Sequence, residues 1–184
     1  MYGRVGLAGF TFDAVAAESG IGKPALYRRW TSKDDLLRDA LVAYSVVIDE
    51  SVHPDLRSQL HEIAYTALTL PLSEEGMALT RLNVESRANP EALGAYRSQL
   101  IDTTHAKTTG LVARAIERGE IPGDTDPDLV IELLTGAAFI HAVRTPPDRI
   151  VEARAEAHKY CDRVVGLVMR AIGADAPGQS GVGA

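Results

Sequence analysis

Apolar residues along this chain recur with the 3.6-residue period of a helix, and prolines, glycines and capping residues cut the recurrence into segments. Phe12, Val15 and Ala16 stand at i, i+3 and i+4, behind Thr11 as a cap and ahead of Ser19-Gly20 as a stop. A second short helix is expected over residues 23–30, with Pro24 in its first turn, where no hydrogen bond is lost. Ser32 caps a third, with Asp34 and Asp35 in its first turn and Leu36, Leu37 and Leu41 facing a core. That helix should run to about residue 50, before His53-Pro54 breaks it.

Five longer segments follow. Residues 55–70 carry Leu56, Leu60, Ile63, Ala67 and Leu70 on one face, and Pro71 ends them. Residues 74–88 carry Met77, Leu82 and Val84. Residues 90–118, opened by Asn89-Pro90 and closed by Gly119, turn Leu93, Tyr96, Leu100, Leu111 and Ile116 inward. After the turn-forming run GEIPGDTDP, residues 128–143 are apolar nearly all round, so that helix needs cover on more than one side. Pro146-Pro147 ends it. A last helix, over 148–172, carries Val164, Val165, Leu167, Val168, Ala171 and Ile172 on a surface too wide for a purely internal contact. Small Gly136 and Gly166 would let helices approach closely, and the economical reading pairs the two last helices with their copies in a second subunit, as a four-helix interface. Residues 174–184, rich in Gly, Ala and Pro, read as a disordered tail. The pattern as a whole predicts an all-α fold.

Two short helices joined by a glycine-containing turn of about four residues make a helix-turn-helix. In that layout the second helix enters the major groove of DNA. Leu26 and Trp30, four apart, anchor it inward, which leaves Lys23, Ala25, Tyr27, Arg28 and Arg29 on the other faces. By residue type Tyr27 and Trp30 read more securely as core or semi-core than as base readers.

The stretch FTFDAVAAESGIGKPALYRRWTSKDDLL, without a gap, resembles the DNA-binding signature of the TetR (tetracycline-repressor) family of bacterial regulators. It includes the family's Ala-x-x-x-Gly, Leu-Tyr and aromatic-x-Ser-Lys spacings. The resemblance implies a homodimer, each subunit with an N-terminal helix-turn-helix DNA-binding domain and a C-terminal helical ligand-binding and dimerisation domain. The corresponding division is residues 1–50, residues 51–173 and the tail. By carry-over, Thr11, Arg29 and Lys33 match positions that touch phosphate, Tyr27 gives its hydroxyl to phosphate or its ring to a base, and Lys23, Pro24 and Arg28 meet base edges. The chemistry agrees, because Lys or Arg donates to guanine O6 and N7 while Pro24 and Ala25 offer apolar contact to a thymine methyl. The partners implied are a pseudo-palindromic double-stranded operator and a small, mostly hydrophobic effector. Tyr65, Thr69, Met77, Arg81, Thr104, Thr108, Leu111 and Phe139 are the candidates to line its pocket, although each taken singly also suits ordinary core packing. Arg81 and Glu85, four apart, also suit a simple ion pair.

One departure stands out. TetR-like proteins carry a full helix before this stretch, whereas only MYGRVGLAG precedes Phe10 here, too short for that helix. Val5, Leu7 and Phe10 would cover part of the core, and the expectation is a start trimmed upstream. A competing reading takes the same feature as a sign of a degenerate DNA-binding head on a helical small-molecule or protein-binding dimer.

Composition refines this picture. Across 184 residues, 46% are hydrophobic and only 5% aromatic, which favours helices packed on helices. A net charge of −6 speaks against DNA binding until its distribution is considered. Residues 1–33 hold Arg4, Lys23, Arg28, Arg29 and Lys33 against Asp13 and Glu18, a net +3, and the remainder is −9. Phosphate attraction is local, screened within about 10 Å, so a cationic end on an acidic body suits a duplex. A single Cys161 and the lack of a signal-peptide layout or a membrane-length apolar run point to a cytoplasmic protein outside any membrane. His61-Glu62 begins like a zinc-protease motif, but Tyr65 stands where the second His belongs. The five histidines show no ligand spacing, Cys161 reads as a small hydrophobe, and no phosphate loop or nucleophile elbow occurs, so neither an enzyme, a metal site nor a cofactor is expected.

Overall fold

The structure, a computed structural model, describes residues 1–42 and 55–174. The expected extension of the third helix to residue 50, the break at His53-Pro54 and the tail beyond residue 174 lie outside the described residues. These residues form helices and turns, with no strand among them. They fall into two compact units that do not follow the chain: those within Met1–Val47 and Leu70–Thr104 form one, those within Ile48–Thr69 and His105–Ala184 the other. The division expected near residue 50 is one of sequence; packing returns Leu70–Thr104 to the N-terminal unit.

The first unit holds α1 (Tyr2–Gly9), α2 (Phe12–Ser19), α3 (Lys23–Arg29), α4 (Lys33–Val42), a 3-10 turn (Leu70–Leu72), α6 (Glu74–Ala88), α7 (Pro90–Arg97) and a π-turn (Ser98–Asp102). The segment before Phe10 is helical, but short and broken. It makes two turns joined at Gly6, whose φ of 68° is a left-handed value that glycine adopts without a Cβ clash. The groups released at that break are taken up by α6. Glu85 accepts from the Leu7 amide at 3.1 Å, the Tyr2 hydroxyl at 2.9 Å and Arg81 Nε at 3.0 Å. Arg81 also donates to the carbonyls of Gly3 and Arg4, at 3.0 and 2.9 Å. Burial and then the Glu85 carboxylate push the Tyr2 phenol far above the usual tyrosine range. Tyr2 and Phe10 meet edge to face, centroids 6.2 Å apart, in one core with Phe12, Leu26, Leu36, Leu37, Leu41, Leu82 and Leu93. Of the three residues expected to cover that core, Phe10 is buried and Leu7 packs against it, but Val5 is 42% exposed; Tyr2 does its work instead. Of the three large apolar residues noted on α6, Leu82 is buried, while Met77 and Val84 are open to solvent.

The second unit holds α5 (Leu56–Thr69), most of α8 (Thr103–Glu117), α9 (Pro127–Arg144), a 3-10 turn (Pro147–Arg149), α10 (Ile150–Ala155) and α11 (Ala157–Ala171). The helix expected over 90–118 is thus interrupted by the π-turn, and the last helix by a break at Glu156. α5, α9 and α11 pack on one another through Leu60, Ile63, Ala64 and Leu68, through Ile131, Leu134 and Ala138, and through Cys161, Val165 and Val168. Asp126 caps α9, accepting from the amides of Asp128 and Leu129, and Gly119 takes the left-handed C′ conformation after α8 with φ 71°. Of its expected apolar surface α11 buries Val164, Val165 and Val168 within the chain and leaves Leu167 and Ala171 exposed; α9 leaves Leu129, Leu133, Phe139, Ile140 and Val143. Gly136 does not seat a close helix crossing in this chain, since a Cβ there would meet nothing within 4 Å, and at Gly166 it would meet only Arg170 of its own helix. Among the described residues no single helix is long and apolar enough to cross a membrane.

Candidate nucleic-acid interface

Local chemistry fixes the α2–turn–α3 geometry. Thr11, extended at φ −131° and ψ 157°, accepts at Oγ1 from the Ala14 amide at 3.1 Å, and Asp13 adds a carboxylate to the positive end of α2. At the other end Gly20, with φ 71°, turns the chain, while Ser19 Oγ donates to the Val15 carbonyl and accepts from the Ile21 amide. Gly22 and Pro24 start α3. Its only buried side chain is Leu26, 2% exposed, which fastens the helix to the core.

Everything else on α3 faces outward or half outward. Lys23, Pro24, Tyr27, Arg28 and Arg29 are exposed, and Ala25 is half-buried. Tyr27 is 58% exposed, so it is not the core residue that its type suggested. Its ring leans on Phe12, centroids 4.5 Å apart, and the phenol is held out from the surface. Trp30 is half-buried, its Nε1 donates to Asp39 at 2.8 Å, and the Arg29 guanidinium lies 4.7 Å from the ring centroid. Ser32 Oγ accepts from the Asp35 amide at 3.0 Å and starts α4. Arg38 pairs with Asp35 and lies over Tyr96, 5.5 Å from its centroid, so α4 is tied to α7 as well.

The five cations of residues 1–33 are not equivalent. Arg4 is bound to Glu18 at 2.7 Å and Glu74 at 3.1 Å. That pairing, foremost the hydrogen bond itself, raises the arginine pKa and lowers that of Glu18. Lys33 Nζ donates to the Leu7 carbonyl at 3.0 Å and is half-buried. Lys23 meets Asp13 at 2.8 Å, and this hydrogen bond holds its ammonium above the usual lysine range. Arg28 and Arg29 have no anionic partner among the described residues. Charge counting along the sequence found the cations but not their partners, because Glu74 and Leu7 lie far from them in the chain.

The effector candidates are divided between the two units. Met77, Arg81 and Thr104 belong to the first unit, and Tyr65, Thr69, Thr108, Leu111 and Phe139 to the second. Arg81 is occupied by the first helix, as described above. The hydroxyls of Thr69, Thr104 and Thr108 each donate to a carbonyl of their own helical run, and Leu111 is core. Tyr65 stacks on His158, centroids 4.3 Å apart, and His158 on His61 at 5.3 Å. The second unit has an open groove of about 700 Å³ along Ile140, His141, Arg144, Pro146, Glu156 and Tyr160, none of which was a candidate. Its one sequence signal is the Pro146-Pro147 turn, where the chain bends by 110° after α9. Among the described residues no three His, Cys, Asp or Glu side chains are grouped to hold a metal. Burial pushes the Cys161 thiol up to about 11, which leaves it unreactive at neutral pH.

Comparison with known proteins supplies what geometry leaves open. Residues 1–40 match the family described as bacterial regulatory proteins, tetR family, and residues 49–174 the family described as tetracyclin repressor-like, C-terminal domain. The HTH-type transcriptional regulator AqdR of Rhodococcus erythropolis is 32% identical over 150 residues, covering 79% of this chain and 70% of that protein. The DNA-binding transcriptional repressor TetR of Mycobacteroides abscessus is 28% identical over 134 residues, covering 69% of this chain and 68% of that protein. A solved structure from Mesorhizobium loti, assigned to the TetR family of transcriptional regulators, superposes with a TM-score of 0.64 at 16% identity, over 92% of this chain and 90% of that one. That likeness speaks for the fold.

Proposed function

The chain belongs to the TetR family of bacterial transcriptional regulators, and within that family we propose a ligand-responsive repressor that holds a pseudo-palindromic operator as a homodimer and lets go when a small, mostly hydrophobic effector binds. A family regulator of this kind is a DNA-binding helix-turn-helix protein and not an enzyme.

The observation that carries the reading is the outer face of α3. Tyr27, Arg28 and Arg29 stand exposed, the two arginines have no anion beside them among the described residues, and Leu26 fixes the helix from behind. Arg28, Lys23, Pro24 and Ala25 would meet base edges; Thr11, Tyr27, Arg29 and the two ammonium protons that Lys33 has left would meet phosphates. Two copies related by a two-fold axis would read half-sites spaced by the dimer. The apolar outer side of α9, with Leu129, Leu133, Ile140 and Val143, supports pairing of α9 and α11 with their copies. Tyr65, half-buried, and Phe139, exposed, are the effector candidates of the second unit whose side chains remain open to a ligand. An effector would act only through its differential affinity for the DNA-competent and incompetent arrangements. A regulator of chromosomal DNA would work in the cytoplasm. The competing reading, a degenerate DNA-binding head, rests on the shortness of the segment before Phe10, which folds as the broken helix α1.

A gel-shift titration on the duplex upstream of the gene tests this reading. Specific binding that weakens steeply with salt is expected, and its absence would refute the proposal.

A further inference from the structure

We propose that Asp13 and Lys23 act together as one reader of a G·C base pair. The inference rests on the DNA-reading role proposed above and brings in a residue outside the recognition helix. Asp13 stands in the first turn of α2 and Lys23 at the first residue of α3, and the turn between them places Nζ 2.8 Å from Oδ1. The side chains are 69% and 53% exposed, and neither has another ionic partner among the described residues. Glu18, the other carboxylate of α2, is taken by Arg4. The pair therefore shows the outside a donor and an acceptor side by side, with two ammonium protons and the second carboxylate oxygen unused.

The major-groove edge of a G·C pair carries the complementary arrangement. Guanine O6 accepts, cytosine N4 donates, and the two are bonded to each other at roughly 2.9 Å. A donor and an acceptor held 2.8 Å apart match that edge in polarity and in spacing. Lys23 Nζ donates to O6 and Asp13 accepts from the cytosine amino group. An A·T pair also offers a donor beside an acceptor. There, however, the second free lysine proton meets the thymine methyl, whereas on guanine it finds N7 next to O6. Against bare phosphate the carboxylate repels, so the pair weakens binding to unrelated sequence, which a lone lysine would strengthen.

Preferred duplexes selected from a randomised library by the wild-type protein, Asp13→Ala, Lys23→Ala and the double variant provide the test. Affinities are then measured for every single base-pair change in the best site. The wild type is expected to favour G·C at one position of each half-site by about 5- to 150-fold over the alternatives. Asp13→Ala loses most of that preference at that position alone and binds random duplex more tightly. Lys23→Ala loses it at the same position, and the double variant loses no more than either. Asp13→Asn, which keeps an acceptor oxygen and the shape of the α2 turn, retains a preference for the same pair. Preferences unchanged by Asp13→Ala, or changed at a different base pair from Lys23→Ala, overturn the proposal. A wild-type protein that selects no sequence overturns the DNA-reading role itself, a separate result.

Discussion

α3 and α9 expose opposite chemistries. α3 is seven residues long, buries one side chain and shows water two arginines, a lysine and a phenol. α9 is 18 residues long, buries Val130, Ile131, Leu134, Ala138 and Ala142, and shows water leucine, isoleucine and valine. Exposed charge costs nothing in water and gains only where phosphates release counterions to it. Exposed apolar side chains each forgo about 1.5–3 kcal/mol that cover would supply. An uncovered apolar face is therefore evidence for a partner by itself. A charged face becomes evidence only when spacing and missing counter-charges add to it, as they do at Arg28 and Arg29.

Leu26→Ala tests the anchored side of that contrast. It removes the one buried side chain of α3, and a loss of about 2–5 kcal/mol is expected, read by urea unfolding, with operator binding falling alongside. On α9, Ile140→Glu sets a carboxylate in the proposed dimer face. The dimer should weaken by about 2 kcal/mol or more, roughly 30-fold, in sedimentation equilibrium, with helix content unchanged. A fully dimeric variant would mean that the outer side of α9 is not the interface. Arg28→Ala should cost about 1–3 kcal/mol on the operator and relax its preference at one base pair, with little change on random DNA. Equal losses on both would remove Arg28 from the base-reading set. Lys33→Ala should weaken every duplex alike and lower the salt slope by about one. An unchanged slope would mean that the ammonium spends its charge on the Leu7 carbonyl and not on phosphate.

Where a residue's partner is a near neighbour, the sequence disclosed it. Thr11, Ser19-Gly20, Pro24 and Ser32 act within four residues of themselves, and each does what its type predicts. Leu26, Leu36, Leu37 and Leu41 point inward because a helical period leaves them no other side. The N-terminal segment was opaque for the opposite reason. Its break at Gly6 is stabilised by Arg81 and Glu85, 77 to 83 residues away, and no pattern inside MYGRVGLAG announces them. Glu85 itself looked like half of a simple ion pair with Arg81, which it is, but its other bonds go to Tyr2 and Leu7. Periodicity could not tell buried Leu82 from exposed Met77 and Val84, because α6 carries too weak an apolar stripe to show which side is inward. The division of the effector candidates between the two units was equally illegible: helical spacing gives a side chain's direction on its own helix, not which unit that helix joins.

The chain contains one tryptophan, and it sits directly behind the proposed contact face, its indole bonded to Asp39 and covered by Arg29. When Arg29 turns to a phosphate, that ring loses its cationic cover. The protein thus carries a native optical reporter on the surface of interest: unlabelled emission spectra should change with duplex and stay unmoved by events confined to the helical body.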